Sequence, residues 1–216
     1  MQPGRGTVRP RLGRVNATSH SDAPSVPLWN VANILTMSRV VMVPIFAWLY
    51  LAGGVGTQVA AAGVFVLAAV TDRLDGYLAR SRGLVTDFGK IADPIADKAQ
   101  TITALVLLSA AGVVPWWVTV VIVVRELGIT VLRFVLVRRS VIAASSGGKL
   151  KTVLQLVFLG LLLVPWADLL PATPAQVIEV VAFVVMYAAV VVTVVSGLQY
   201  VLGAIRGART QGAAGA

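Results

Sequence analysis

Long apolar runs separated by short turns constrain the fold of this chain more than any other feature. Hydrophobic residues make up 57% of the sequence and charged residues only 12%, whereas a soluble domain carries roughly 45–50% apolar residues. Runs near 20 residues suit helices that cross a bilayer, and only helices and closed barrels satisfy every backbone group in lipid. We predict an all-α integral membrane protein with six transmembrane helices. The predicted spans cover residues 33–52, 58–80, 88 or 93–111, 117–137, 150–166 and 176–203.

Two polar ends flank the predicted helical region. Residues 1–27 are rich in Arg, Gly, Pro and Ser and lack apolar periodicity, so they are expected to form a disordered basic tail. We expect no signal peptide there, because the first apolar run begins too far from Met1. Residues 28–205 would form the six-helix catalytic domain, and residues 206–216 a short C-terminal tail.

The distribution of basic residues predicts the orientation in the membrane. The turns near residues 52–57, 112–116 and 165–175 contain no Lys or Arg, and the 18 basic residues lie towards the opposite ends of the spans or in the tails. The positive-inside rule then places both termini on the cytoplasmic side of the cell membrane. The net charge of +9 fits contact with membrane lipids, and no basic stripe with interleaved aromatics indicates nucleic-acid binding.

The residue types that are absent exclude several kinds of chemistry. The chain has no Cys, and its single histidine, His20, lies in the polar N-terminal stretch. Thiol catalysis and a histidine-based triad are therefore not expected, so acid–base chemistry would rest on carboxylates, Lys, Arg or Tyr.

A cluster of carboxylates between apolar runs needs a functional explanation. Five of the nine acidic residues lie between residues 72 and 97. Asp72 and Asp75 are three apart and Asp93 and Asp97 are four apart, so each pair shares one face of a helix. Two adjacent helices would project four carboxylates into one space, and hard cations such as Mg²⁺ prefer carboxylate and phosphate oxygens. The pattern predicts a site for divalent metal and phosphate at the cytoplasmic end.

Small and basic residues accompany this cluster. Gly76 and Ala79 have almost no side chain and would let a ligand approach the helix backbone closely. Arg80 lies one turn further on and could hold a phosphate or position a carboxylate. These residues fit a ligand that carries phosphate and lies next to the metal.

Simpler explanations stay open for individual residues. Asp93 precedes Pro94 and could be a helix N-cap. Asp72 and Asp75 could pair with neighbouring arginines at a cytoplasmic rim. A transporter or channel could also use intramembrane carboxylates, although it would spread them through the depth of the bilayer, and here they crowd at one end.

The spacing of the cluster resembles the signature of the CDP-alcohol phosphatidyltransferase family. The matching pattern is Asp72-x2-Asp75-Gly76-x2-Ala79-Arg80-x8-Gly89-x3-Asp93-x3-Asp97. The resemblance implies a homodimer with the six-helix fold of that family and two divalent ions, Mg²⁺ or Mn²⁺, held by the four aspartates. It also implies that the CDP group lies against Gly76, Ala79, Arg80 and Gly89, and that Asp97 is the general base.

Further stretches resemble one branch of that family, the bacterial phosphatidylglycerophosphate synthases. They lie at residues 33–39, 116–119, 125–126 and 148–152. This resemblance implies transfer of a phosphatidyl group from CDP-diacylglycerol to sn-glycerol 3-phosphate in phospholipid biosynthesis, with release of CMP. Inositol phosphate, or phosphatidylglycerol as in cardiolipin synthesis, remain alternative acceptors.

An anionic acceptor needs cations that face the carboxylate cluster. Arg125, Arg133, Lys149 and Lys151 are the candidates for binding the acceptor phosphate. Arg125 is the strongest of them, because an arginine inside a span is costly without a polar partner. Contact with anionic lipid headgroups is the alternative for basic residues in the same loop.

Two more residues complete the predicted site, and a third has a predicted partner. Thr36 and Arg39 lie early in the first span and are candidates for contact with the nucleotide. Glu126 follows Arg125 directly, and adjacent helical side chains point about 100° apart. We therefore expect Glu126 to pair away from Arg125, with Arg39 or Arg73.

Overall fold

A computed structural model describes the backbone of residues 31–82, 87–136 and 146–214, and the side chains of residues 34–73, 95–132, 150–203 and 205. Within these ranges the chain forms helices joined by short turns and contains no strand, which confirms the all-α prediction. The helices are α1 (Val31–Leu51), α2 (Val55–Arg82), α3 (Asp87–Ala110), α4 (Trp116–Leu136), α5 (Ser146–Leu163), α6 (Trp166–Leu169) and α7 (Ala172–Ala214).

The six long helices coincide with the six predicted spans. Among the described residues, three segments are long and apolar enough to cross a membrane: Ile34–Leu51, Val55–Arg73 and Ala172–Gly203. Leu150–Leu163 in α5 is apolar but shorter. The structure therefore agrees with a membrane protein, and the count of six crossings stays a prediction.

Glycines in the left-handed region form the turns at one end of the bundle. Gly53, between α1 and α2, has φ of 73°, and Gly112, after α3, has φ of 75°. Side chains with a Cβ rarely adopt such angles. The N–H of Gly112 donates to the carbonyl of Ser109 at 3.0 Å, which closes the end of α3. These tight turns keep consecutive helices adjacent and antiparallel.

The core of the bundle is apolar and aromatic. The Phe46 and Phe65 rings, from α1 and α2, lie 5.8 Å apart between centroids. The largest buried apolar side chains are Phe46, Phe65, Leu105, Leu108, Ile122, Phe158, Leu159 and Met186. Many large apolar residues also face outwards, such as Trp48, which is 68% exposed. Such outward apolar faces suit contact with lipid tails.

Buried polar side chains cross between helices at several depths. Ser109 and Thr119 share a hydrogen bond of 2.6 Å between α3 and α4. The Gln100 amide donates to the carbonyl of Phe65 at 2.7 Å, and that of Gln155 donates to Thr193 at 3.3 Å. Interhelical bonds of this kind contribute roughly 0.6 kcal/mol each in membrane proteins. Their main effect is to fix the register of neighbouring helices.

Helix α7 is longer than a single crossing requires. It has 43 residues, and at about 1.5 Å per residue it spans roughly 65 Å, about twice the hydrocarbon thickness. It extends to Ala214, so helix continues into residues 206–214, which were predicted to be part of a C-terminal tail. The apolar part ends at Gly203, close to the predicted end of the sixth span.

Candidate functional site

Charged side chains gather at one end of the bundle. Consecutive helices run in opposite directions, so the early parts of α1, α3 and α5 meet the later parts of α2, α4 and α7. The Asp72–Asp97 segment occupies the end of α2 and the beginning of α3. The predicted metal and nucleotide residues therefore lie on the same end of the molecule as the predicted acceptor cations.

Arg39 and Asp72 form an ion pair between α1 and α2. The Arg39 guanidinium donates to the Asp72 carboxylate, with the arginine side chain 1% exposed and the aspartate 36% exposed. Thr36 is also buried and lies three residues before Arg39, on the same side of α1. Arg39 therefore meets a charged partner inside the bundle. The pairing holds one of the four motif aspartates in place.

Asp97 is close to this pair and to a second group of charges. Its carboxylate is within electrostatic reach of Asp72, Arg39, Lys98 and Lys151. Asp97 also lines a small cavity between α3, α4 and α5. The other residues that line it are Lys98, Thr101, Ile102, Leu105, Ile122, Glu126, Lys151, Thr152 and Gln155. The predicted base and a predicted acceptor cation thus share one cavity.

Glu126 is the centre of the second group of charges. Its carboxylate accepts hydrogen bonds from Lys98 at 3.2 Å, from Arg125 at 3.3 Å and from Lys151. The glutamate is 8% exposed, and its partners come from α3, α4 and α5. We call Lys98, Arg125, Glu126 and Lys151 the Glu126 cluster.

The predicted partners of Glu126 were wrong. Arg39 pairs with Asp72 instead, and Glu126 pairs with its own neighbour Arg125 as well as with two lysines. Adjacent Cα–Cβ bonds do diverge on a helix. The Arg125 side chain is nevertheless long enough to bring its guanidinium back to the carboxylate, since both heads turn towards the same polar space.

Arg125 also connects α4 to α7. Its guanidinium donates to the Ser196 hydroxyl at 3.0 Å. The neighbouring residue, Gly197, has no side chain, and a Cβ built there would lie 3.2 Å from Cγ of Arg125. Because Gly197 has no side chain, the side chain of Arg125 can lie close to the backbone of α7.

Several predicted site residues lie outside the described side chains. They are Asp75, Gly76, Ala79, Arg80, Gly89, Asp93, Arg133 and Lys149. Among the side chains that are described, no group of three or more metal-binding residues occurs. Two of the four motif aspartates, Asp72 and Asp97, are described, and they lie near each other.

Two residues of this site, Lys98 and Ser196, were not predicted from the sequence. Lys98 directly follows Asp97, and the cost of burying a cation, which was used to select Arg125, applies equally to Lys98. That signal could have identified it. Ser196 lies in an apolar stretch of α7 and has no comparable signal, because one serine is common inside membrane helices.

A larger cavity, about 420 Å³, lies at the other end of the bundle. It is lined by the end of α1, the beginning of α2, the loop around Pro165 and the beginning of α7. None of the predicted site residues whose side chains the structure describes lines it. The described residues of the predicted site therefore lie at the charged end and not at the larger cavity.

Comparison with known proteins adds an independent observation. The profile of the CDP-alcohol phosphatidyltransferase family matches residues 29–195. A probable phosphatidylglycerophosphate synthase from Mycobacterium tuberculosis is 49% identical over 180 residues, which cover 82% of this chain and 82% of the relative. The matched family region includes the charged end from Arg39 to Lys151.

Two further relatives carry a name that specifies both substrates. Proteins from Bacillus subtilis and Escherichia coli, each named CDP-diacylglycerol–glycerol-3-phosphate 3-phosphatidyltransferase, are both 36% identical to this chain. The first match covers 80% of this chain and 94% of the relative, and the second covers 82% and 95%. The similarity therefore extends over nearly the whole of these relatives.

Proposed function

Because the chain belongs to the CDP-alcohol phosphatidyltransferase family, we propose that it transfers the phosphatidyl group of CDP-diacylglycerol to sn-glycerol 3-phosphate. The products are phosphatidylglycerophosphate and CMP, so the enzyme acts in phospholipid biosynthesis. The observation that carries the proposal is the position of Asp97, which is within electrostatic reach of Asp72 and lines one cavity with Lys98, Glu126 and Lys151. The names of the relatives support this donor and acceptor.

On the donor side, we propose that Asp72, Asp75, Asp93 and Asp97 hold two divalent ions, Mg²⁺ or Mn²⁺. The two described members fit this role, since they offer carboxylate oxygens, the ligands that hard cations prefer. Such ions, when bound, neutralise negative charge on a pyrophosphate and on its transition state. The CDP group would lie against Gly76, Ala79, Arg80, Gly89, Thr36 and Arg39.

Asp97 acts on the acceptor. Its carboxylate takes the proton from the primary hydroxyl of glycerol 3-phosphate, and that oxygen attacks the phosphorus that carries the diacylglycerol. A new oxygen–phosphorus bond forms while the bond from this phosphorus to the bridging pyrophosphate oxygen breaks, and CMP leaves with the electron pair. Phosphoryl-type transfer depends chiefly on positioning and electrostatics, so a chain without Cys can perform it.

The acceptor is held by the cations of the charged end. Lys151, which lines the cavity that contains Asp97, and Arg125, which shares the partner Glu126 with it, would bind the acceptor phosphate together with Arg133 and Lys149. A bound phosphate there directs the far hydroxyl of a three-carbon acceptor towards Asp97. Intramembrane cations are costly unless they are used in this way.

We further propose the setting in which the reaction occurs. The enzyme is a multi-pass protein of the cell membrane with both termini and the active site on the cytoplasmic side, as the basic residues predict. It functions as a homodimer. Glycerol 3-phosphate and CMP, which are soluble, would then exchange directly with the cytoplasm, while the lipid groups stay in the bilayer.

An acceptor panel tests the proposed function. Purified protein in detergent with CDP-diacylglycerol and Mg²⁺ should release CMP with glycerol 3-phosphate. It should release little with inositol phosphate, phosphatidylglycerol or glycerol. Release of CMP with inositol phosphate or phosphatidylglycerol, but not with glycerol 3-phosphate, would overturn the choice of acceptor while leaving the reaction type intact.

A further inference from the structure

The Glu126 cluster brings three cations to one buried carboxylate. Lys98, Arg125 and Lys151 come from three helices, and each donates to Glu126. Like charges this close repel one another strongly where water is scarce. The Glu126 carboxylate offsets that repulsion, because it pairs with all three cationic groups and holds them close together.

The cluster has the charge of an anion site. Among its four described side chains, three are cationic and one is anionic, and Asp97 is the next carboxylate within electrostatic reach. A phosphate monoester carries about −1.5 to −2 charges near neutral pH. Addition of that charge would bring the group close to electrical neutrality.

Helix α7 also supports the cluster, through Arg125. Ser196 accepts a hydrogen bond from Arg125, and Gly197 leaves space for the arginine side chain. Lys98, Glu126 and Lys151 line the cavity that contains Asp97. Arg125 is therefore fixed against α7, while the two lysines border the cavity that contains the proposed base.

We propose that Glu126 is the positioning residue of the acceptor site: it gathers Lys98, Arg125 and Lys151 into a site for the phosphate of the acceptor, and Lys98 is one of the cations of that site. This inference rests on the proposed phosphatidyl transfer and adds two residues to it. Glu126 touches no reacting atom and acts through the cations that it holds.

The test is steady-state kinetics of Glu126→Gln with each substrate varied separately. Glutamine keeps the shape of glutamate but loses the charge, so the lysines and Arg125 should move apart. The KM for glycerol 3-phosphate should rise about tenfold or more, because charged hydrogen bonds to the phosphate are lost. The KM for CDP-diacylglycerol and kcat should stay within about threefold of the wild type.

Two variants and a control complete the experiment. Glu126→Asp keeps the charge and should restore part of the affinity. Lys98→Met should raise the KM for glycerol 3-phosphate while leaving the pairs of Glu126 with Arg125 and Lys151. Glu179→Gln, which makes the same chemical change at an exposed position on the other end of the bundle, should match the wild type.

Specific outcomes overturn the proposal. An unchanged KM for glycerol 3-phosphate in both Glu126→Gln and Lys98→Met would remove these residues from the acceptor site. An equal rise for both substrates would indicate a general structural role. If Glu126→Gln does not fold, as judged by gel filtration, Lys98→Met alone decides.

A failure of the proposed function can be told apart from a failure of this inference. If the acceptor panel identifies another phosphorylated acceptor, the same variants are measured with that acceptor, and a selective rise in its KM supports the inference. If the acceptor carries no phosphate monoester and the variants leave its KM unchanged, the inference falls with the proposed acceptor.

Discussion

Buried charges at this site are held in pairs that cross between helices, so the effect of a substitution depends on the partner that it leaves behind. Arg39 is almost fully buried against Asp72, and Lys151 is buried against Glu126. Removal of one member of a buried pair costs about 3–5 kcal/mol, since the other charge loses its compensation. Isosteric substitutions are therefore the informative ones at this end of the molecule.

Asp97→Asn is the isosteric test of the proposed base. Asparagine keeps the size of the side chain but cannot take the proton, so turnover should fall about 100- to 10,000-fold. The thermal unfolding midpoint and the gel-filtration profile should stay close to those of the wild type. CMP release with saturating substrates is the measurement.

The matched control for this substitution is Asp168→Asn. Asp168 is an exposed carboxylate in the short helix α6, at the opposite end of the bundle. Its variant should retain full turnover. Near-normal turnover of Asp97→Asn would refute the assignment of Asp97 as the base.

At the scale of the elements, the contact between α4 and α7 positions Arg125, one of the proposed acceptor cations. Trp117 and Tyr187 stack at one level of these helices, with ring centroids 6.3 Å apart, and Arg125 reaches Ser196 about two turns further along. Close approach of helices through small residues is common in membrane proteins. Here the small residue is Gly197, and the group that it admits is a charged side chain.

Gly197→Ala should weaken acceptor binding without unfolding the protein. The added methyl group would lie 3.2 Å from Cγ of Arg125, so the arginine must shift by a few tenths of an ångström. We expect the KM for glycerol 3-phosphate to rise roughly threefold, in line with partial loss of one charged hydrogen bond. Kinetics with varied glycerol 3-phosphate measure the effect.

Gly203→Ala is the control in the same helix. A Cβ at Gly203 meets no atom within 4 Å, so this variant should behave as the wild type and gain slightly in helix stability. If both alanine variants raise the KM equally, the effect belongs to α7 as a whole and not to the Arg125 contact.

At the scale of the whole molecule, charge is distributed unequally between the two ends. The described basic side chains, such as Arg39, Lys98 and Lys151, lie towards the end that carries Asp97, whereas Asp168 and Glu179 lie towards the other. This asymmetry is the physical basis of the proposed orientation, because basic segments stay on the cytoplasmic side.

Single-cysteine labelling tests that orientation directly, since the chain contains no native Cys. The reagent is a membrane-impermeant maleimide, added to cells whose cytoplasmic membrane is intact and whose outer layers have been removed. It should label the thiol introduced by Asp168→Cys. It should label Ser21→Cys, in the N-terminal tail, only after the membrane is opened. The reverse pattern would invert the proposed topology and place the site outside the cytoplasm.

Most of the fold follows from local properties of the sequence. Long apolar runs between Gly- and Pro-rich turns are sufficient to predict each long helix, because a helix satisfies its own backbone and lipid removes the alternatives. The helix ends follow less directly from hydropathy, since α7 continues to Ala214, beyond its apolar stretch. Polar residues can extend a helix after it leaves the membrane, so hydropathy alone does not locate its end.

The sequence by itself determined the helical class, the family and the end of the bundle that carries Asp72 and Asp97. Those properties depend on residue type and on spacing within one helix. Only the tertiary structure decided that Arg39 pairs with Asp72, that Glu126 collects Lys98 and Lys151, and that Arg125 reaches a serine 71 residues away. A helical position defines the direction of a side chain but not the neighbouring helix that it meets, and long charged side chains take the partner that packing brings within reach.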